Sequence, residues 1–272
     1  MTDSAGAVDN SAVGDKSAVG ERSVVEGGGL TVSVVIPARN DAAALDRCLA
    51  ALGWQTVAPL EVVVVDNAST DATAAVARRH GARVVTETRV GIPMAAAAGY
   101  DAAGGEVIAR LDADSVPGAD WVGRITTVMA DCRWDAVTGV GRFYELPRTG
   151  GAVAAVYLGA YYLLCHAALG HHALWGSSMA VRRSAWLDVR DGVHDDDAEL
   201  HDDLDLAFAL GPRCAIRLDR SLRVGVSARS LVGGAQLRRR FRRAFRTISV
   251  NSEVLPPWQR WAVRLRPERQ AS

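Results

Sequence analysis

Residues 30–41 read LTVSVVIPARND, and residues 60–73 read LEVVVVDNASTDAT. In each stretch a short apolar run closes on a polar turn, the first at Pro37 and the second at Asp66. Such runs, bounded by turn residues, mark strands buried on both faces, and strands of that kind occur in parallel sheets covered by helices on both sides. The covering helices are legible between them. Leu45, Cys48, Leu49 and Leu52 recur at i, i+3, i+4 and i+7 behind a cap at Asn40 or Asp41 and end near Gly53. Ala72 to Arg79 gives a second helix behind Ser69, Thr70 or Asp71. Outward from there, Arg83 to Thr86 reads as a third strand, Pro93 to Ala103 as an Ala-rich helix, and Glu106 to Leu111 as a fourth strand running into Asp112. This alternation predicts an α/β domain with a mostly parallel central sheet, whose ligands bind beyond the carboxyl ends of the strands.

The remainder of the 272 residues fits one domain with loose ends. With 49% apolar and 23% charged residues, the composition excludes a disordered, collagenous or coiled-coil chain. The reading assigns residues 1–29, rich in Gly, Ser, Ala and Val, to a disordered tail with no signal-peptide pattern. It assigns 30–115 and 116–250 to two halves of the domain and 251–272 to a C-terminal tail. Cys48, Cys132, Cys165 and Cys214 are scattered, which excludes a zinc ribbon or disulfide scaffold and predicts a reducing, cytoplasmic setting. His171, His172, His194 and His201 lack metal-ligand spacing with cysteine, so zinc is not expected.

Overall neutrality hides a polarity. Residues 1–212 carry a net charge of −12 and residues 213–272 one of +12, so the C-terminal part faces something anionic: phosphate, lipid headgroups, or the acidic body of its own protein. From Gln236 to Val250, Leu237, Phe241, Phe245 and Ile248 line one helix face, with Arg238, Arg239, Arg240, Arg242, Arg243 and Arg246 around the rest. This helix either lies on an anionic membrane or covers the active site with its arginines, and an apolar stripe disfavours nucleic acid. Residues 152–169 carry no formal charge over 18 positions. Without a flanking cluster of Lys or Arg, a buried or acceptor-facing helix is favoured there over a membrane span.

Three acidic clusters carry the chemistry: Asp66, then Asp112 with Asp114, then Asp202, Asp203 and Asp205. Carboxylates at the ends of parallel strands converge on one edge, so the first two clusters share a site. A D-x-D pair suits a hard cation, Mg²⁺ or Mn²⁺, completed by substrate phosphates, which points to a nucleotide diphosphate. Asp202 to Asp205 either cap a helix or supply a base. Trp175 is either a wall for a sugar ring or a core residue.

Taken together, VSVVIPARND, VVVVDNASTDAT, RLDADSVPGADWV, GSSMAVRRSAW and HDDLDLAFAL come in the order and spacing of the family-two inverting glycosyltransferases, and residues 30 to about 250 resemble that family. The resemblance implies the GT-A fold and a single inverting transfer from a nucleotide diphosphate sugar, UDP-linked by expectation, to an acceptor hydroxyl. It implies that Pro37, Arg39, Asp41 and Asp66 bind the nucleotide, that Asp112 reaches ribose or sugar, that Asp114 with Asp112 holds the metal, and that Asp203, flanked by Asp202 and Asp205, is the base. Ala96 and Ala97 stand where many relatives carry Arg-Asn, and no His follows His201 to complete a metal shell. Gln236 to Phe241 lacks the Trp of the processive motif, which favours adding one sugar. The expected acceptor is lipid-linked or hydrophobic, on a protein peripheral to the inner face of a membrane. A soluble small acceptor is the first alternative, and a non-catalytic nucleotide-sugar or membrane-binding protein the second. PARND after the first strand is neither a Gly-rich phosphate loop nor G-x-G-x-x-G, which disfavours a nucleotidyltransferase or a dehydrogenase.

Overall fold

The computed structural model describes residues 29–146, 148–228 and 234–266, apart from the side chains of Gly150 and of residues 234–237. The expected N-terminal tail, residue 29 aside, and the side chain of Leu237 lie outside the described residues. The first half is built as its apolar runs require. Strands β1 (Val32–Ala38), β2 (Glu61–Asp66), β3 (Arg83–Thr86) and β4 (Val107–Arg110) are parallel, and Val34, Val35, Ile36, Val63, Val64 and Val65 are fully buried. Helices α1 (Ala42–Gly53) and α2 (Thr73–Arg79) pack on one another, while α3 (Ile92–Ala102) packs on β1 and β2. The order β3-β2-β1-β4 means that the chain steps one way through β1, β2 and β3 and then back across to β4. With right-handed crossovers, this puts α1 and α2 on one face and α3 on the other. The reversal lies between β1 and β4, and a crevice opens at their carboxyl ends.

The second half extends the sheet. Among the described residues it has eight strands in the order β3-β2-β1-β4-β7-β6-β8-β5, with β5 (Val116–Pro117), β6 (Ala136–Phe143), β7 (Met179–Arg182) and β8 (Ile216–Val226). β7 runs antiparallel to β4 and β6, and β8 runs parallel to β6. Its helices are α4 (Trp121–Met129), α5 (Gly150–Leu169), α6 (Arg183–Val189), α7 (Asp202–Leu210), α8 (Gly234–Val254) and α9 (Pro257–Leu265).

The uncharged stretch forms α5, and Gly151–Leu169 is long and apolar enough to cross a membrane, with a third of it buried. One face packs inward through Ala154, Leu158, Tyr162, Cys165 and Leu169. The Tyr162 hydroxyl donates to the Gly139 carbonyl at 2.7 Å and that of Tyr161 to the Leu174 carbonyl at 2.7 Å. The other face leaves Val156, Leu163 and Leu164 exposed.

The stretch 251–272, expected as a tail, is ordered in its described part. Residues 251–254 complete α8, and α9 packs against α5. Arg260, 4% exposed, lies over the Phe208 ring and donates to the Leu255 and Phe208 carbonyls, and Trp261 Nε1 donates to the Ala167 carbonyl. Exposed Trp258 and Leu265 alternate with these inward residues at a helical period, a signal that the high arginine content of the stretch conceals.

Candidate active site

Two of the three acidic clusters, Asp112 with Asp114 and the acids of α7, converge, and a buried arginine holds them together. Arg110, the last residue of β4, is 2% exposed. Its guanidinium donates to Asp112 at 3.1 Å and, through its other nitrogen, to Asp202 at the start of α7. An unpaired charge would be prohibitive there, so the pair is what makes the residue tolerable. Burial is the largest single influence on Arg110 and opposes its charge, but Asp202, Tyr100, Asp112 and Asp203 together outweigh it and hold the guanidinium protonated. Burial likewise pushes the Asp202 carboxyl up to about 6, against the pull of Arg110. Gly176 makes room for this bridge, because a Cβ there would lie 2.6 Å from Arg110 Cζ. The sequence reading did not single out Arg110. Its one signal was a cation ending a strand whose other residues are apolar.

The acids of α7 divide into three roles. The Asp203 carboxylate accepts from the Gly176 and Leu204 N–H groups, both at 2.8 Å, and faces a cavity. Asp202 is consumed by Arg110. Asp205, 1% exposed, accepts from the His194 N–H at 2.8 Å and from Asn251 Nδ2 at 2.7 Å, tying α7 to the preceding loop and to α8. Grouping Asp205 with the catalytic candidates is therefore corrected. Three residues after Asp202 on a helix, it faces inward and is spent on structure.

Three cavities lie in a row. A cleft of ≈ 280 Å³ at the β1 and β4 ends is lined by Pro37, Arg39, Asp41, Asn67, Asp112 and Asp114. Asp112 and Asp114 also line a chamber of ≈ 70 Å³ with Tyr157, Trp175, Ser177 and Arg240. Tyr157, Trp175 and Arg240 in turn line an apolar groove of ≈ 450 Å³ between α5 and α8, on which Asp203 and His201 also open. The expected nucleotide residues thus come together except for Asp66, which accepts from the Ser69 N–H at 3.3 Å and does not line the cleft. Its neighbour Asn67 does, while its side-chain amide holds the Glu87, Arg89 and Gly91 backbone. Ala96 and Ala97 are buried in α3, and Ile92 and Ala95 are the residues of that helix that line the cleft. Trp175, 8% exposed, is both a core residue and a cavity wall, and fits because a Cβ at Gly141 would lie 2.4 Å from its ring.

The D-x-D pair presents oxygen donors only, half-buried on the boundary between cleft and chamber. Asp112 is already oriented by Arg110 and by the Ser177 hydroxyl at 2.5 Å. No group of three or more His, Cys, Asp or Glu that could hold a metal occurs among the described residues. The set fits Mg²⁺ or Mn²⁺ that keeps most of its shell for water and phosphate, and not a cation that needs a full protein cage.

The Arg-rich helix sits over this site. Arg239 and Arg242 pair with Glu199, Arg246 pairs with Asp197, and Arg243 donates to the Ala198 carbonyl. Part of the C-terminal positive charge is thus met by the chain's own acidic loop.

The family model described as glycosyl transferase family 2 matches residues 33–186. An uncharacterized glycosyltransferase of Mycobacterium tuberculosis, Rv0539, is 41% identical over 111 residues, covering 41% of this chain and 49% of that protein. The glycosyltransferase AglE of Haloferax volcanii is 32% identical over 134 residues, 46% of this chain and 43% of its own. The chain spans about half the length of the curated relatives it matches. Among solved structures, a mannosyltransferase of Pyrobaculum calidifontis in complex with GDP-Man and Mn²⁺ superposes with a TM-score of 0.66 at 22% identity, covering 87% of this chain and 69% of its own. Glucosyl-3-phosphoglycerate synthase of M. tuberculosis in complex with Mn²⁺, UDP and glucosyl-3-phosphoglycerate gives 0.60 at 22% identity, covering 82% of this chain and 80% of its own. These two likenesses establish the curled, mostly parallel α/β fold of GT-A enzymes.

Proposed function

The chain belongs to glycosyl transferase family 2, and from that premise we propose that it moves one sugar, with inversion, from a UDP-sugar to the hydroxyl of a lipid-linked or otherwise hydrophobic acceptor. The observation that carries the reading is the Arg110 bridge, which ties Asp112, on the wall of the chamber, to Asp202 at the start of α7, next to the groove-lining Asp203. The nucleotide lies in the cleft against Pro37, Arg39 and Asp41, with the diphosphate directed at Asp112 and Asp114. Those two carboxylates would hold Mg²⁺ or Mn²⁺, which neutralises diphosphate charge when bound. The sugar passes Trp175, whose flat ring suits the apolar face of a pyranose.

Asp203 then accepts the acceptor hydroxyl's proton. Each of its oxygens takes one backbone N–H and keeps a second lone-pair direction for substrate. Arg110 remains a fixed cation beside the reacting groups and moves no proton. The neighbouring enzymes of known structure are in complex with GDP-Man or UDP and with Mn²⁺, which supports a metal-assisted nucleotide-sugar donor here.

The donor assignment is tested by calorimetry of UDP binding with and without Mn²⁺. Asp114→Ala is expected to remove the Mn²⁺-dependent gain in affinity, and metal-dependent binding that survives it would refute the assignment. A thermal-shift panel of UDP, GDP and their sugars with Mn²⁺ tests the base, because the true donor raises the melting temperature by mass action.

A further inference from the structure

From the groove between α5 and α8 we infer that the acceptor is an anionic amphiphile, its hydrocarbon chain lying in the groove and its negative charge on Arg240. This deepens the proposed transfer and rests on it. The outer rim is apolar and open to solvent, with Val156 75%, Leu164 64%, Phe241 61% and Phe245 74% exposed. Toward the inner end the lining becomes Tyr161, Cys165, Trp175 and Ile248, and among the described residues the only acid on it is Asp203. A groove of this lining and ≈ 450 Å³ accepts a hydrocarbon chain that enters at the rim and delivers its head at the carboxylate.

Arg240 supplies the charge complementarity. It lines both the groove and the chamber that holds Asp112 and Asp114, so it stands where the acceptor head must meet the sugar. Its guanidinium lies over the Tyr157 ring, 5.8 Å from the centroid. Four neighbouring arginines are engaged with the acidic loop 197–199, whereas no ion pair joins Arg240 to an acid among the described residues. A cation held by an aromatic face at the end of an apolar groove selects a ligand that carries a negative charge beside its chain, since a charge-assisted guanidinium–anion contact gains where a neutral head leaves the cation unmet. His201 ties α8 down at two points, with its Nε2 3.1 Å from the Arg240 carbonyl and its N–H 3.0 Å from the Thr247 hydroxyl. The groove therefore has a built inner end.

The test uses the full chain saturated with UDP and Mn²⁺, with octyl phosphate, octyl glucoside and inorganic phosphate titrated below micelle formation. Octyl phosphate is expected to bind about tenfold or more tighter than either of the others, because it alone satisfies both features. Arg240→Gln should erase the advantage over octyl glucoside while the octyl chain still binds. Ala244→Trp, which fills the groove from a half-buried position, should weaken both octyl ligands about tenfold or more. UDP–Mn²⁺ binding in each variant reports folding and the donor site separately, so a failed donor reading is told apart from a failed groove. Equal affinity for octyl phosphate and octyl glucoside, or a loss of UDP–Mn²⁺ affinity in Arg240→Gln, would overturn the anionic head. No effect of Ala244→Trp would overturn the chain, as would dimer formation that closes the groove to octyl phosphate.

Discussion

At the residue scale the site turns on Arg110 and the glycine that admits it. Gly176→Ala would put a methyl 2.6–2.8 Å from the guanidinium carbon and nitrogens, so Arg110 must leave Asp202 or the loop must shift. Breaking a buried pair costs about 3–5 kcal/mol when one charge is stranded, and relaxation reduces that figure. The expected outcome is a protein that melts several degrees lower and transfers sugar poorly, read by calorimetry and by a transfer assay. A wild-type melting temperature and rate in Gly176→Ala would remove Arg110 from the account. The D-x-D pair and the acid pair of α7 were legible in the sequence because acids at strand and helix ends stand out against apolar runs. Arg110 was not, because a cation within a buried strand is intelligible only once its partner, 92 residues away, is in place. The side-chain directions within DDLD were likewise hidden, so Asp205 read as an equal of Asp203.

His171 gives a pH prediction at the same scale. Burial pushes its imidazole down to about 4, although its contact with the His172 carbonyl pulls the other way. A histidine that is neutral when folded loses stability as pH falls, because the unfolded chain takes up a proton from about 6.5 downward and the folded chain only near 4. Over that window the loss amounts to roughly 3 kcal/mol and then levels off. His171→Asn is expected to flatten the slope of unfolding free energy between pH 6.5 and 4 relative to the parent. Parallel curves for the two proteins would contradict the assignment.

At the scale of elements, periodicity served the first half of the chain and failed at its end. β1, β2, α1 and α3 fall within one or two residues of the sequence reading, since fully buried strands and amphipathic helices write their burial into the order of residues. The antiparallel β7 and β6 beyond β4 carry no comparable local mark, because their burial is set by distant partners. α9 was missed for another reason: its inward anchor is Arg260, a residue type read as solvent-facing. Arg260→Ala would leave the Leu255 and Phe208 carbonyls without this donor and strip the packing from the Phe208 ring. A loss of about 2–4 kcal/mol in chemical denaturation is expected. A loss under about 0.5 kcal/mol, the scale of an ordinary surface change, would show that α9 contributes nothing to the fold.

For the whole molecule, the charge polarity read from the sequence resolves into two uses. Arg239, Arg242 and Arg246 meet Glu199 and Asp197, so the helix closes on the chain's own acidic loop. These side chains remain more than half exposed, and α5, α8 and α9 all present large apolar residues to solvent, including Leu163, Phe245 and Trp258. Peripheral attachment to an anionic membrane is the arrangement we propose for them, at about 1 kcal/mol per surface arginine and weakening with salt. Cosedimentation should favour anionic over zwitterionic liposomes at low salt, and the Phe241→Ser, Phe245→Ser double variant should bind less to both. Equal, negligible sedimentation with both lipids would leave α8 as a cover for the site and make the acceptor a soluble one.

Asp203, positioned by the Gly176 N–H and opening on the groove, is the proposed base of the transfer. Asp203→Asn nearly preserves size and fold, so the decisive measurement is single-turnover transfer by this variant with its UDP–Mn²⁺ affinity recorded on the same sample. Unchanged nucleotide affinity is expected, with a rate lowered about a hundredfold or more, the scale of losing a general base. A rate within a few-fold of the parent, at unchanged nucleotide affinity, would contradict it.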